Sequence, residues 1–221
     1  MHLNPEDGAK VAAAIKAAEA RTDGEISAIV AASSDSYNDV VLHWALLFAL
    51  LPVAVSAAWP HLLEWGASLI SPWEEPSTRF LLTLVLVKTI AAFLIARYVI
   101  GIPALRILLT PAATKHRRVR RRAIMLFRAG TEQRTLSTTG VLLYLSLAEH
   151  RAEIVADAAI HAKAPQEEWG EAMAALVSAM HDNRPGDGMA AAVEKIGAVL
   201  AAHFPRTGTD PNELPDRLIQ L

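Results

Sequence analysis

The side chains best placed to do chemistry are acids, hydroxyls and one arginine gathered at the ends of expected strands. Glu25 opens Glu25-Ile26-Ser27-Ala28-Ile29-Val30-Ala31, which reads as a strand of mixed facing. Gly140–Leu147 is a nearly continuous apolar strand, and Ala152–Asp157 returns as a second one. In such an antiparallel hairpin, the residue after the return strand lies beside the one before the outgoing strand. Asp157 is therefore expected near Thr138 and Thr139, in a polar loop that also carries Arg134. Acidic oxygens with a threonine suit calcium or magnesium. With Arg134 they suit a phosphate. A plain Asp157–Arg134 surface ion pair is the third reading, and such pairs contribute little. Calcium takes about six to eight oxygens, and this grouping offers fewer, so Glu25, Asp157, Thr138, Thr139 and Arg134 stand as ligand or metal candidates with no catalytic residue among them. No cofactor is expected, with calcium or magnesium as the alternative.

Other chemistries find no support. The sequence has no cysteine, which excludes disulfides, thiolate metal sites and thiol catalysis. Nucleophile elbows, phosphate-binding loops, dinucleotide fingerprints and the HExxH pattern do not occur. The eight histidines are scattered, and Glu149-His150-Arg151 reads as a solvated hairpin turn. Lys and Arg number 21 against 23 Asp and Glu, for a net charge of −2. That balance argues against a general nucleic-acid binder.

The positions of those charges decide the architecture of the 221-residue chain. Val40–Ala58 is interrupted only by His43, Pro52 and Ser56, and Phe80–Ile102 carries only Lys88 and Arg97. Each run meets the roughly 20 residues needed to cross an apolar layer of about 30 Å. A cleaved leader is not expected, because the residues ahead of the first run are polar and helical in pattern. The link Trp59–Arg79 holds Glu64, Glu74 and Glu75, whereas Arg106, Lys115, Arg117, Arg118, Arg120, Arg121 and Arg122 follow the second run. This bias predicts a two-pass hairpin with both termini cytoplasmic and the link facing outward. The basic run also suits contact with anionic lipid. Trp59, Trp65 and Trp73 fall where aromatic rings favour the interface. Pro52 frees the Phe48 carbonyl four residues back, and Lys88, expected at similar depth, is placed to donate to it and staple the hairpin.

The rest reads as a split α/β domain. Asn4-Pro5-Glu6-Asp7 starts a helix with the stripe Val11, Ile15, Ala18. Thr22-Asp23-Gly24 turns into the first strand. After the basic run, Ala123–Phe127 continues a helix to about Gly130. Pro165 opens a helix with Trp169, Met173, Leu176, Val177 and Met180 on one face. Asn183–Gly188 breaks it, and Met189, Val193, Ile196 and Leu200 stripe the last helix. The expected divisions are 1–39, helix and first strand; 40–102, the hairpin, with helices over about 40–59 and 80–102; 103–206, the remainder of the domain; and 207–221, a surface tail. Two crossings return the chain to one side, so the arm docks as a third strand beside the hairpin strands. The fold class is α/β: a small three- to four-stranded sheet with flanking helices, interrupted by the hairpin.

Leu3-Asn4-Pro5-Glu6-Asp7 with Thr22-Asp23-Gly24-Glu25-Ile26 resembles the opening of the TPM domain family, "L-s-p-e-e … e-t-g-a-e-i". Thr139-Gly140-Val141-Leu142-Leu143 and Leu147-Ala148-Glu149-His150-Arg151-Ala152-Glu153-Ile154 resemble its "n-G-v-L-l … r-k-v-e-i" hairpin, and Asp187-Gly188-Met189 its last helix. The resemblance covers about residues 3–39 and 119–204, in the family's order, and looks most like a bacterial membrane-protein branch with the hairpin inserted after the first strand. Better-known members carry the domain outside the cytoplasm, whereas the basic run here predicts it inside. The resemblance implies an assembly or maintenance helper, or alternatively a weak phosphatase or divalent-metal binder. The expectation is a non-enzymatic interaction module whose partners are the bilayer and another membrane protein, not nucleic acid.

Overall fold

The structure is a computed structural model, and it describes residues 3–130, 139–164, 166–207 and 217–221. In chain order the elements are α1 (Pro5–Glu19), β1 (Glu25–Ala31), α2 (Asn38–Ala58), α3 (Pro60–Ile70), α4 (Thr78–Ile100), α5 (Pro103–Leu109), α6 (Ala112–Gly130), β2 (Gly140–Ser146), β3 (Arg151–Ala156), α7 (Ala158–Lys163), a 3-10 turn (Gln166–Trp169), α8 (Gly170–His181), α9 (Pro185–His203) and β4 (Leu218–Gln220). They form two compact units, residues 36–111 and the two flanking segments together.

The flanking segments build a mixed α/β unit. α1 starts where Asn4 Oδ1 accepts from the Asp7 amide at 2.7 Å, with Pro5 in the first turn. The sheet order is β3-β2-β1-β4. β1 runs parallel to β2, with Glu25 opposite Gly140 and Ala31 opposite Ser146. β2 and β3 are antiparallel, with Val141 opposite Ala156 and Ser146 opposite Arg151. A parallel pair needs a crossover, and α6 occupies that place in the chain, with residues 36–111 inserted ahead of it.

Alternation along the strands sorts the core into two layers. Ile26, Ala28 and Val30 join Val141, Leu143 and Leu145 on the face covered by α1, α8 and α9, where Ile15, Leu176, Met189 and Ile196 are buried. Ile29, Ala31, Leu142 and Tyr144 fill the other face beneath Val119, Ala123 and Phe127 of α6. Both faces of β2 are thus covered, and each of its residues is buried, as its unbroken apolar run implies. α1 and α9 meet at backbone distance. A Cβ on Gly197 would overlap that of Ala18 and lie 3.1 Å from Ala18 Cα, and one on Gly188 would lie 2.8 Å from Ala179 Cβ.

That approach also sets the face of α8. Ala172 and Leu176 are buried, whereas Val177, expected on the core face, is 49 % exposed. The small residues where α9 comes close choose the contact, rather than the largest apolar stripe. The expected tail differs too. Leu218–Gln220 forms β4, parallel to β1 with Ala28 opposite Leu218. The Ala32 amide donates to the Leu221 carbonyl at 3.0 Å, and the Leu221 amide to Val30 at 2.9 Å. Three residues are too short for any period to show; the open edge of β1 makes the strand. Nearer α9, the Asp23 carboxylate accepts from Thr207 N at 2.9 Å and Oγ1 at 2.6 Å.

In the unit of residues 36–111, α2 and α4 are long and apolar enough to cross a membrane, with mean hydropathy of 2.2 and 2.1. Their mutual contact is lined by Val41, Ala45, Ala96 and Ile100. The large side chains turn outward: Leu46, Leu47, Leu50, Leu51, Leu82 and Leu86 are each more than half exposed. That is the reverse of a helix packed in water and the pattern of helix pairs in lipid. The link, to which the sequence reading assigns no element, contains α3, with Leu62, Trp65 and Leu69 exposed at i, i+3 and i+7.

Candidate functional site

The parallel strands β1 and β2 begin and end together, which gathers polar groups at both ends of the pair. At the amino ends, the Glu25 amide donates to the Thr139 carbonyl at 3.1 Å. Thr139 Oγ1 donates to the Asp23 carbonyl at 3.3 Å. Asp157 caps the antiparallel ladder twice. Its amide donates to the Gly140 carbonyl at 3.0 Å, and its Oδ2 accepts from the Gly140 amide at 2.7 Å. Asp157 precedes α7 but makes no side-chain bond to that helix; its carboxylate holds β2 instead. Glu19 Oε1 accepts from the Ile26 amide at 2.9 Å.

The hairpin register therefore sets Asp157 against Gly140, the residue after Thr139. Glu25 flanks β2 on the other side, so two strand spacings, about 10 Å, separate the backbones of Glu25 and Asp157. Glu19, Glu25 and Asp157 are all buried, and Glu19 was not singled out from the sequence. Arg134 and Thr138 lie outside the described residues. Among the described residues, no three His, Asp or Glu side chains converge in a way that could hold a metal ion. What the amino-end carboxylates of Asp157 and Glu19 do here is accept backbone N–H groups that would otherwise be stranded at strand ends.

A denser polar network lies at the carboxyl ends of the same two strands. Glu149, expected to be solvated in the hairpin turn, is instead 5 % exposed. Its Oε1 accepts from the Ser34 amide at 2.9 Å and from Ser33 Oγ at 3.1 Å, and its Oε2 accepts from Ser146 Oγ. Ser34 Oγ donates to Ser146 Oγ at 2.8 Å and lies 2.9 Å from the Tyr144 hydroxyl. Burial pushes the Tyr144 phenol above its ordinary range, against the opposing bonds from Ser34 and Ser146. Asp35 Oδ2 accepts from Arg118 Nη1 of α6 at 3.0 Å. One carboxylate thus fastens the exit of β1, the end of β2 and the turn to β3. The sequence held a signal for it. Tyr144 and Ser146 put two hydroxyls on the same face of an apolar strand, and buried hydroxyls need partners.

In the hairpin unit, a Cβ on Gly66 of α3 would lie 3.4 Å from Lys88 Nζ. Lys88 therefore reaches to α3, not to the Phe48 carbonyl, and the glycine leaves room for its ammonium. The Pro52 carbonyl accepts from Ser56 Oγ at 2.7 Å. Trp44 Nε1 donates to the Leu109 carbonyl at 3.3 Å. Between α2, α4 and α5 lies an apolar groove of about 410 Å³, lined by Trp44, Phe48, Pro52, Val99 and Leu105 among others.

No protein-family model matches the chain, and no curated protein matches it. Its structure is similar to the NMR structure of the BA42 protein from the psychrophilic bacterium Bizionia argentinensis, with a TM-score of 0.58 and 17 % identity over 100 % of this chain and 97 % of that one. At that identity the likeness concerns the fold alone.

Proposed function

We propose that this is a membrane-anchored, TPM-like protein whose α/β unit acts as a non-enzymatic module for assembling or maintaining other membrane proteins. In this reading α2 and α4 form a two-pass hairpin in a bacterial inner membrane, and both termini are cytoplasmic. The observation that carries it is the inverted packing of α2 and α4, with Ala45 and Ala96 beside Val41 and Ile100 inside and most leucines outside, spliced into the crossover of a complete α/β core. Such a surface is costly in water and favourable in lipid. The acidic link and the basic stretch after α4 support the orientation. The amino-end carboxylates support the module reading over a hydrolase, because Asp157 is engaged in holding the Gly140 backbone.

Reporter fusions at the N-terminus, within Glu64–Glu75 and at the C-terminus test the topology: both ends should report cytoplasm and the link the opposite side. Purification from membranes in mild detergent tests the role. Co-purification of one stoichiometric membrane protein is expected. Turnover of a generic phosphomonoester, abolished by Asp157→Asn in a protein that still folds, would replace the module with the phosphatase or divalent-metal alternative.

A further inference from the structure

α6 carries seven Lys or Arg residues and no acid between Ala112 and Gly130. Its inner face is fully explained, since Val119, Ala123 and Phe127 at i, i+4 and i+8 pack on the sheet. Two flanking side chains are also explained, with Arg118 on Asp35 at 3.0 Å and His116 beside Glu153 at 3.4 Å. Arg120 lies within electrostatic reach of that same Glu153. The outer face is not. Arg117, Arg121 and Ile124 follow at i, i+4 and i+7, a single stripe about 130° around the helix from the core. Both arginines are exposed, and Met125 beside them is 48 % exposed. Among the described residues Arg117 and Arg121 have no ion pair, although like charges four apart on a helix repel.

We propose that this stripe is a docking surface for anionic phospholipid headgroups. The argument rests on charge, composition and tether. Two outward arginines, Arg117 and Arg121, supply attraction to a negative leaflet, about 1 kcal/mol each, or roughly a fivefold change in the docked-to-free ratio per arginine. Ile124 and Met125 between them supply side chains that enter the headgroup boundary, the pattern of helices lying on a membrane. Nucleic-acid readers would place polar or aromatic groups there instead. Only residues 101–111 separate α4 from α6, a tether of at most about 40 Å. The surface thus deepens the membrane-anchor reading and rests on it.

The chain has no cysteine, so Met125→Cys gives a single attachment point for an environment-sensitive fluorophore on the full-length protein. Nanodiscs of phosphatidylcholine alone are compared with discs containing phosphatidylglycerol. The expected result is a blue shift and brightening in the anionic discs only, reversed by high salt and reduced in Arg117→Gln/Arg121→Gln. A label at Val177→Cys, on α8, should not respond. Identical Met125 spectra in both discs, an equal response at Val177, or a response to added RNA but not to lipid would overturn the proposal. Failure of the chain to enter discs would instead overturn the hairpin anchor itself.

Discussion

Gly197→Ala sets two known effects against each other on α9. Glycine inside a helix costs about 1 kcal/mol relative to alanine, so propensity alone predicts stabilisation. Packing opposes it. The new methyl would overlap Ala18 Cβ and lie 3.1 Å from Ala18 Cα, with the Arg21 guanidinium the next neighbour at 3.7 Å. The nearest two atoms belong to the α1 backbone or are bonded to it, so no flexible chain end swings aside; the helices must separate. Overpacking of this kind costs about 1–3 kcal/mol, and backbone contact places this site at the upper end. The expected net effect is destabilisation by about 1–2 kcal/mol. Gly8→Ala on α1 is the matched control, because nothing lies within 4 Å of its added methyl; it should stabilise by up to about 1 kcal/mol. Ala18→Gly opens the space that Gly197→Ala fills, so the double variant should recover about 1–2 kcal/mol relative to the summed singles. Hydrogen exchange of β1 and β2 amides in detergent reads the α/β unit separately from the hairpin. Each 1.4 kcal/mol is about tenfold in protection. Slower exchange in Gly197→Ala, or strict additivity in the double variant, would refute the backbone-contact argument.

Glu149→Ala should cost about 3 kcal/mol, because it strands the Ser34 amide and the Ser33 and Ser146 hydroxyls; Glu149→Gln, which keeps an acceptor, should fall between it and the native protein in denaturant unfolding, and equal stability of all three would contradict the network. The hydrogen bond and charge of Lys10 hold Asp187 below the usual carboxylate range, and bonds from Thr207 do the same for Asp23. Both contribute stability that is present above the ordinary carboxylate pKa and lost as pH falls through their lowered values. Glu153, raised by burial, acts with the opposite sign, favouring the folded state below the ordinary carboxylate range and less so as pH rises through its raised value. Melting temperatures from pH 3 to 6 should therefore fall less steeply toward acid in Asp187→Asn than in the native chain, and an unchanged slope would remove the Lys10–Asp187 pair from the account.

Much of this architecture is local, and local order is legible in sequence. The Asn4-Pro5 start of α1, the span of β1, the β2–β3 hairpin, the α9 stripe and the two apolar runs each follow from spacing, capping or sustained hydropathy within one segment. What escaped the sequence depends on partners brought from far along the chain. β4 exists because β1 had an open edge. α8 turns Val177 outward because α9 comes close at Gly188. Lys88 reaches α3 because Gly66 leaves space. Glu149 is buried because Ser34, just past the end of β1, and Ser146, at the end of β2, converge on it. A residue's own periodicity can say that it will be buried or exposed in general; which donor meets which acceptor is decided only once strands distant in sequence lie about 5 Å apart.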